Sequence, residues 1–178
     1  MNQPRSELYL DDITVGMRFK SSNLTVSEAD IIAFGRQFDP QPFHTDPAAA
    51  TDSVFQGLAA SGWHTAALTM RLFVESDFRI AGGLLGAGVE ALDWPRPVRP
   101  GDTLHVEVEV LSVRESRTRP EQGMVVVRSM TINQHGEVVQ NLQPKMVVRK
   151  RIADAARTQD PPELGAPEAE QADGVQDD

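Results

Sequence analysis

A chain of 178 residues with 40% hydrophobic content has enough apolar material for one domain with a full core and too little for two. It contains no cysteine, which excludes a disulfide framework and a thiolate nucleophile. The formal net charge of −9 argues against a general nucleic-acid-binding protein, and no apolar run approaches the length of a bilayer span. Residues 1–12 also lack the apolar segment of a signal peptide, so we expect a cytoplasmic protein with no nucleic-acid or membrane partner.

The first half of the chain predicts one short strand followed by helices. The strand is expected at residues 17–20, after a turn. Ser27 is a suitable N-cap because Asp30 follows three residues later and an apolar stripe begins there. Asp46 precedes Pro47 in the same way and is predicted to cap a short helix. The helices are therefore expected at residues 28–38, 48–51 and 62–75.

The second half of the chain predicts strands, because the hydrophobic period changes to two from residue 88 onward. Residues 104–110 alternate apolar and polar side chains cleanly, which is typical of a half-buried antiparallel strand. Pro144 lacks a backbone donor and is expected at a sheet edge or a bulge. The other strands are expected at residues 89–94, 124–133 and 138–148, with a hairpin turn at 134–137. Helices first and strands afterwards indicate an α+β domain in which one long helix packs on an antiparallel sheet.

The last part of the chain differs in composition from the rest. From Ala153 onward Pro, Ala, Glu, Gln and Asp dominate, and this segment holds most of the net negative charge. Such a segment buries too little apolar surface to offset the entropy lost on ordering. We therefore predict a folded domain over residues 1–152 and a disordered acidic tail over 153–178.

One ten-residue segment, FDPQPFHTDP at residues 38–47, carries the strongest chemical signal. Pro40 and Pro42 favour extended backbone, so Asp39 and His44 are predicted to lie together on a stiff loop. A carboxylate and an imidazole held in this way can share one water molecule and move its protons. Gly62 begins the second long helix, where free backbone N–H groups can stabilise a negatively charged oxygen.

These features resemble those of the MaoC-like dehydratases of the (R)-specific enoyl-CoA hydratase type. The resemblance rests on the segment 38–47, on Ser61 and Gly62 at the helix start, and on the PVRPGDT turn at 97–103. It implies a hotdog fold, in which a curved antiparallel sheet wraps a long central helix. It also implies that Asp39 and His44 hold the catalytic water and that Gly62 N–H contacts the thioester oxygen.

The function that the resemblance implies is (R)-specific hydration or dehydration of a 2-enoyl-CoA or a related acyl thioester. The reaction needs no metal and no cofactor, since coenzyme A enters as part of the substrate. The family's fold further implies a homodimer or higher homo-oligomer with the acyl site at the subunit boundary. Four residues beside the catalytic group are predicted to contact the substrate: Gln41, Phe43, Ser61 and Trp63.

The same residues are also compatible with three other functions. His44 and Asp46 have the spacing of a two-histidine, one-carboxylate iron site, with His105 or His135 as the second histidine. A hotdog thioesterase would release free thiol, and a non-catalytic hotdog protein would only bind an acyl thioester. His64 follows Trp63 in the predicted helix and is expected to be a packed helix residue rather than a catalytic group.

Overall fold

The alternating residues of the second half form the predicted antiparallel sheet. The structure is a computed structural model and describes residues 7–151. The predicted tail over 153–178 lies outside the described residues. The strands are β1 (Arg18–Lys20), β2 (Leu24–Thr25), β3 (Leu85–Asp93), β4 (Thr103–Glu115), β5 (Gln122–Ile132) and β6 (Val138–Arg149). The helices are α1 (Glu28–Phe38), α2 (Pro42–Thr45), α3 (Pro47–Thr51) and α4 (Gly62–Val74), after a short 3₁₀ turn at Leu10–Asp12.

The strands pair in the order β1-β4-β5-β6-β3, and β2 pairs with β4 beside β1. All these pairings are antiparallel, as the alternating sequence pattern predicted. The inward positions of β4 are apolar and fully buried, whereas the intervening positions are partly exposed. The sheet therefore presents one apolar face to the helical layer.

Helix α4 covers that face. Its residues Leu72 and Phe73 are buried in the same core as Val106 and Val108 of β4. A hydrogen bond of 2.5 Å joins the hydroxyls of Thr69 on α4 and Thr131 on β5. This arrangement of one central helix on an antiparallel sheet is the expected hotdog fold. Within residues 7–151, no helix is long and apolar enough to cross a membrane.

Several predicted boundaries were wrong. Strand β3 begins at Leu85 rather than at residue 89, and β4 continues to Glu115. The two-residue strand β2 was missed because it is too short to show a period. Pro144 lies in β6, an interior strand, so its predicted edge position is incorrect. A register shift in the adjoining strand lies beside the Pro144 pairing, so the alternative expectation of a bulge is confirmed.

The extended loop predicted between Asp39 and His44 is also only partly correct. The backbone is extended at Gln41, but residues Pro42–Thr45 form the one-turn helix α2. Pro42 occupies the first helical position, where a missing N–H costs nothing and a fixed φ favours the helix. The proline therefore starts a helical turn, and this turn carries His44 toward the protein interior.

Candidate active site

Asp39 lies where α1 ends, and its carboxylate is held by two side chains. Ser61 Oγ donates a hydrogen bond of 2.7 Å to Oδ2, and Gln41 Nε2 donates one of 2.8 Å to Oδ1. The Ser61 bond lowers the pKa of Asp39, with smaller contributions from Gln41 and the nearby His44, while partial burial opposes them. The side chain keeps 20% of its surface exposed. The carboxylate is therefore ionised at neutral pH and still reachable from solvent.

His44 is buried on α2 and its imidazole has a fixed orientation. Nδ1 lies 2.7 Å from the backbone oxygen of Ala59. A carbonyl oxygen only accepts hydrogen bonds, so Nδ1 carries a proton. The opposite nitrogen, Nε2, lies 3.4 Å from Asp39 Oδ2. The ring thus presents Nε2 to the carboxylate, which is the orientation that proton transfer between the two groups requires.

The short distance between α1 and α2 depends on Gly35. A Cβ atom at this position would lie 2.6 Å from the backbone oxygen of His44. Gly35 is buried in α1, and only a residue without a side chain lets α2 pack this closely. Sequence reasoning missed Gly35, since a single glycine in a helix does not reveal which segment it contacts.

Ser61 connects the start of α4 to the carboxylate. It is the N-cap residue, and its Oγ accepts a hydrogen bond of 3.2 Å from Trp63 N while it donates to Asp39. Gly62 is the first helical residue, and among residues 7–151 no acceptor is found for its backbone N–H. The start of α4 therefore places an available donor beside the Asp39 and His44 pair.

Trp94 explains why residue 62 is a glycine. A Cβ atom at Gly62 would lie 2.8 Å from the Trp94 indole. Trp94 Nε1 donates a hydrogen bond of 2.7 Å to Gln140 Oε1, which fixes the ring in that place. Trp94 was predicted as the end of a strand and was missed as part of the site, because it follows Gly62 by 32 residues.

Three of the four predicted substrate-contacting residues contact this pair directly, and the fourth contacts Trp94. Gln41 and Ser61 bind the Asp39 carboxylate directly. Phe43 packs edge-on against the His44 ring, with the ring centres 4.5 Å apart. Trp63 is 62% exposed and contacts Trp94 edge-on. Their contact with a substrate stays a prediction.

The alternative iron site is not assembled. Asp46 accepts hydrogen bonds from the backbone of Ala48 and Ala49, which confirms it as the N-cap of α3. His105 lies beside Glu107 on the polar face of β4, and His135 is in the hairpin turn. Within the part of the chain that the structure describes, no group of three His, Asp or Glu side chains is placed to hold a metal ion.

His64 is a packed helix residue, as expected. It is 5% exposed and its ring stacks on Phe34 at 4.7 Å between ring centres. Burial lowers its pKa, an effect that the carboxylate of Asp30 partly opposes. Its ring contributes to the packing of α1 against α4.

Comparison with known proteins agrees with this fold. The chain belongs to the MaoC like domain family, which matches residues 12–133. A MaoC-like dehydratase from Rhodospirillum rubrum is 54% identical and superposes with a TM-score of 0.79, over 82% of this chain and 99% of that structure. An uncharacterized protein of Bacillus subtilis, YdeM, is 37% identical over 125 residues, which cover 70% of this chain and 87% of YdeM. The R-hydratase PhaJ1 from Pseudomonas aeruginosa, at 24% identity and a TM-score of 0.64 over 82% of this chain and 88% of that structure, shares the fold.

Proposed function

We propose that this protein catalyses the reversible, (R)-specific addition of water to a 2-enoyl-CoA or a related acyl thioester. One observation carries the proposal. His44 Nε2 faces Asp39 Oδ2 at 3.4 Å, with Nδ1 held by the Ala59 carbonyl, beside the free N–H at the start of α4. Membership of the MaoC like domain family supports the same class of reaction.

The two side chains divide the proton transfers between them. In the hydration direction, ionised Asp39 takes a proton from a water molecule as its oxygen attacks the third carbon of the acyl group. Protonated His44 gives its Nε2 proton to the second carbon. The proton on Asp39 then passes to His44, which restores the starting state. The lowered pKa of Asp39 keeps its carboxylate ionised, as a group that accepts a proton must be.

The addition also needs a donor for the thioester oxygen. Attack on the third carbon moves negative charge onto that oxygen as an enolate, and catalysis requires that this charge be stabilised. The Gly62 N–H at the α4 N-terminus is suited to this role because it has no protein acceptor among the described residues. Asp39, His44 and Gly62 are thus the proposed catalytic residues, and the reaction uses no metal or cofactor.

A homodimer is part of the proposal. Strand β3 lies at one end of the strand order, and its first six residues are exposed. Leu85 and Val89 on this strand are 63% and 54% exposed, and unpaired edges with apolar side chains favour pairing with another chain. Pairing of two β3 strands would bury this edge. A coenzyme A thioester as substrate also fits the cytoplasmic location expected from the sequence.

The proposed function is tested with a panel of straight and branched 2-enoyl-CoA thioesters. Hydration is followed by the loss of the conjugated chromophore, and a thiol reagent is used in parallel. We expect hydration of at least one thioester without thiol release, and an (R)-3-hydroxyacyl product. Thiol release at the rate of substrate loss would show a thioesterase, and binding without turnover would show a non-catalytic acyl-thioester-binding protein.

A further inference from the structure

Arg99 binds a single backbone segment with both terminal nitrogens of its guanidinium group. Nη1 donates hydrogen bonds of 2.8 Å to Gly57 O and 3.1 Å to Leu58 O, and Nη2 donates to Phe55 O. Arg99 belongs to the PVRPGDT turn at 97–103, to which the proposed mechanism assigns no role. The segment that it binds comes directly before the residues of the candidate active site.

Residues 59–61, which directly follow that segment, supply the partners of both proposed catalytic side chains. The carbonyl of Ala59, one residue beyond Leu58, fixes His44 Nδ1, and Ser61 Oγ binds the Asp39 carboxylate. A further bond of 2.9 Å from Ala60 N to Val98 O ties the same segment to the turn that carries Arg99. A displacement of this segment would therefore move the ligands of Asp39 and His44 together.

The backbone of the segment needs to be held. Gln56 has φ 53°, in the left-handed region that residues other than glycine rarely adopt, and Gly57 has φ 142°. Such conformations persist only where surrounding contacts impose them. The three hydrogen bonds from Arg99 go to carbonyls on both sides of these two residues and stabilise this conformation.

Among residues 7–151, the guanidinium group of Arg99 forms hydrogen bonds with these three backbone carbonyls alone. Within residues 7–151, no carboxylate lies within ion-pair distance of its guanidinium group. The nearby Asp102 carboxylate is occupied by Arg99 N at 2.7 Å and by Gln134 Nε2 at 2.9 Å. A planar group with several fixed donors can bind three carbonyls at once, whereas a lysine ammonium cannot match that geometry. An arginine is thus required here rather than any cation.

We propose that Arg99 is a positioning residue that fixes the tautomer and orientation of His44 through the segment 55–59. Its effect on turnover rests on the proposed function, but its effect on His44 does not. The first test therefore measures the His44 imidazole by ¹⁵N NMR in the full chain, with the signal assigned from His44→Gln. Arg96→Ala is the matched control, because Arg96 lies on the same connection and pairs with Glu137 at the surface.

At a pH where the imidazole is neutral, we expect the control to leave the Nδ1-protonated tautomer of His44 unchanged and Arg99→Ala to produce a mixture of tautomers. Addition of millimolar guanidinium to Arg99→Ala should restore part of the original spectrum. If Arg99→Ala does not fold, Arg99→Lys replaces it, and its His44 signals should also show mixed tautomers. A folded Arg99 variant with the parent His44 spectrum would overturn the proposal, whatever reaction the protein catalyses.

The second test uses turnover. A small displacement of catalytic groups costs about 100-fold in rate, so kcat should fall by about that factor in Arg99→Ala with a smaller change in KM. Guanidinium should recover part of this loss and should not affect the Arg96 control. A loss confined to thermal stability, with kcat unchanged at low temperature, would show that Arg99 stabilises the fold only and would contradict the proposal.

Discussion

Ser61 Oγ lies 2.7 Å from Asp39 Oδ2 and donates a hydrogen bond to that carboxylate. The same oxygen accepts the Trp63 N–H, so one hydroxyl caps α4 and binds Asp39. Because the Ser61 oxygen accepts the hydrogen bond from the helix, its O–H remains available to donate to Asp39. The helix cap and the binding of the Asp39 carboxylate therefore depend on each other. Through this residue the start of the central helix is coupled to the ionisation of the site.

This coupling predicts a pH effect for Ser61→Ala. The Ser61 hydrogen bond is the largest cause of the lowered Asp39 pKa, so its removal should raise that pKa. Because ionised Asp39 is the proposed base, activity should be lost on acidification, and the acid limb of the kcat profile should move to higher pH. Comparison of the kcat–pH profiles of Ser61→Ala and the parent tests this expectation. An acid limb at the parent position would show that a different group controls it.

Gly62 provides a prediction about the oxyanion. Proline at the first helical position removes the N–H without breaking the helix, but its Cβ would contact Trp94, as would that of alanine. Gly62→Ala is therefore the control for the steric effect. We expect Gly62→Pro to be slower than Gly62→Ala by about 100- to 1,000-fold, the usual cost of one oxyanion donor.

The measurement for Gly62 is the hydration rate of both variants, with thermal melting to confirm that each is folded. Equal rates in the two folded variants would show that the Gly62 N–H is not the donor. If the proline variant melts below the assay temperature, the comparison is repeated at a lower temperature.

The exposed β3 edge predicts that self-association depends on Val89. A lysine at this position places a charge on the edge and opposes strand pairing. We expect the parent to sediment as a dimer or larger at micromolar concentration and Val89→Lys to shift toward the monomer. Val15→Lys is the control, since Val15 is 64% exposed in the turn before β1, at the other end of the strand order. A monomeric parent would contradict the predicted dimer.

The sequence predicts the larger elements well because their periodic apolar patterns extend over many residues. Helix α4 begins at Gly62 as expected, and the alternation in β4 matches its buried and exposed positions. The proximity of Asp39 and His44 was also predicted, because they are five residues apart and two prolines restrict the conformations of the backbone between them. The conformation between them was not, because proline favours both extended backbone and the first helical position.

The remaining parts of the site depend on contacts between distant segments. The Ala59 carbonyl that orients His44 carries no side-chain signal at all. Arg99 lies more than 40 residues after the segment that it binds, and Trp94 contacts Gly62 although 32 residues separate them. Hydrogen-bond partners of this kind follow from the packing of α1 and α4 on the sheet, which no local pattern specifies.

The most direct test of the proposed chemistry is the hydration rate of a 2-enoyl-CoA thioester by the Asp39→Asn and His44→Gln variants. Each change keeps the approximate size of the side chain and removes its proton transfer, which contributes about 10²- to 10⁴-fold. Each variant should bind the thioester, remain folded and turn over at least about 100-fold more slowly than the parent. The double variant should be little slower than either single one, because one water molecule needs both groups. Near-parent turnover by folded Asp39→Asn would contradict the account and leave Asp39 as a residue that only ends α1.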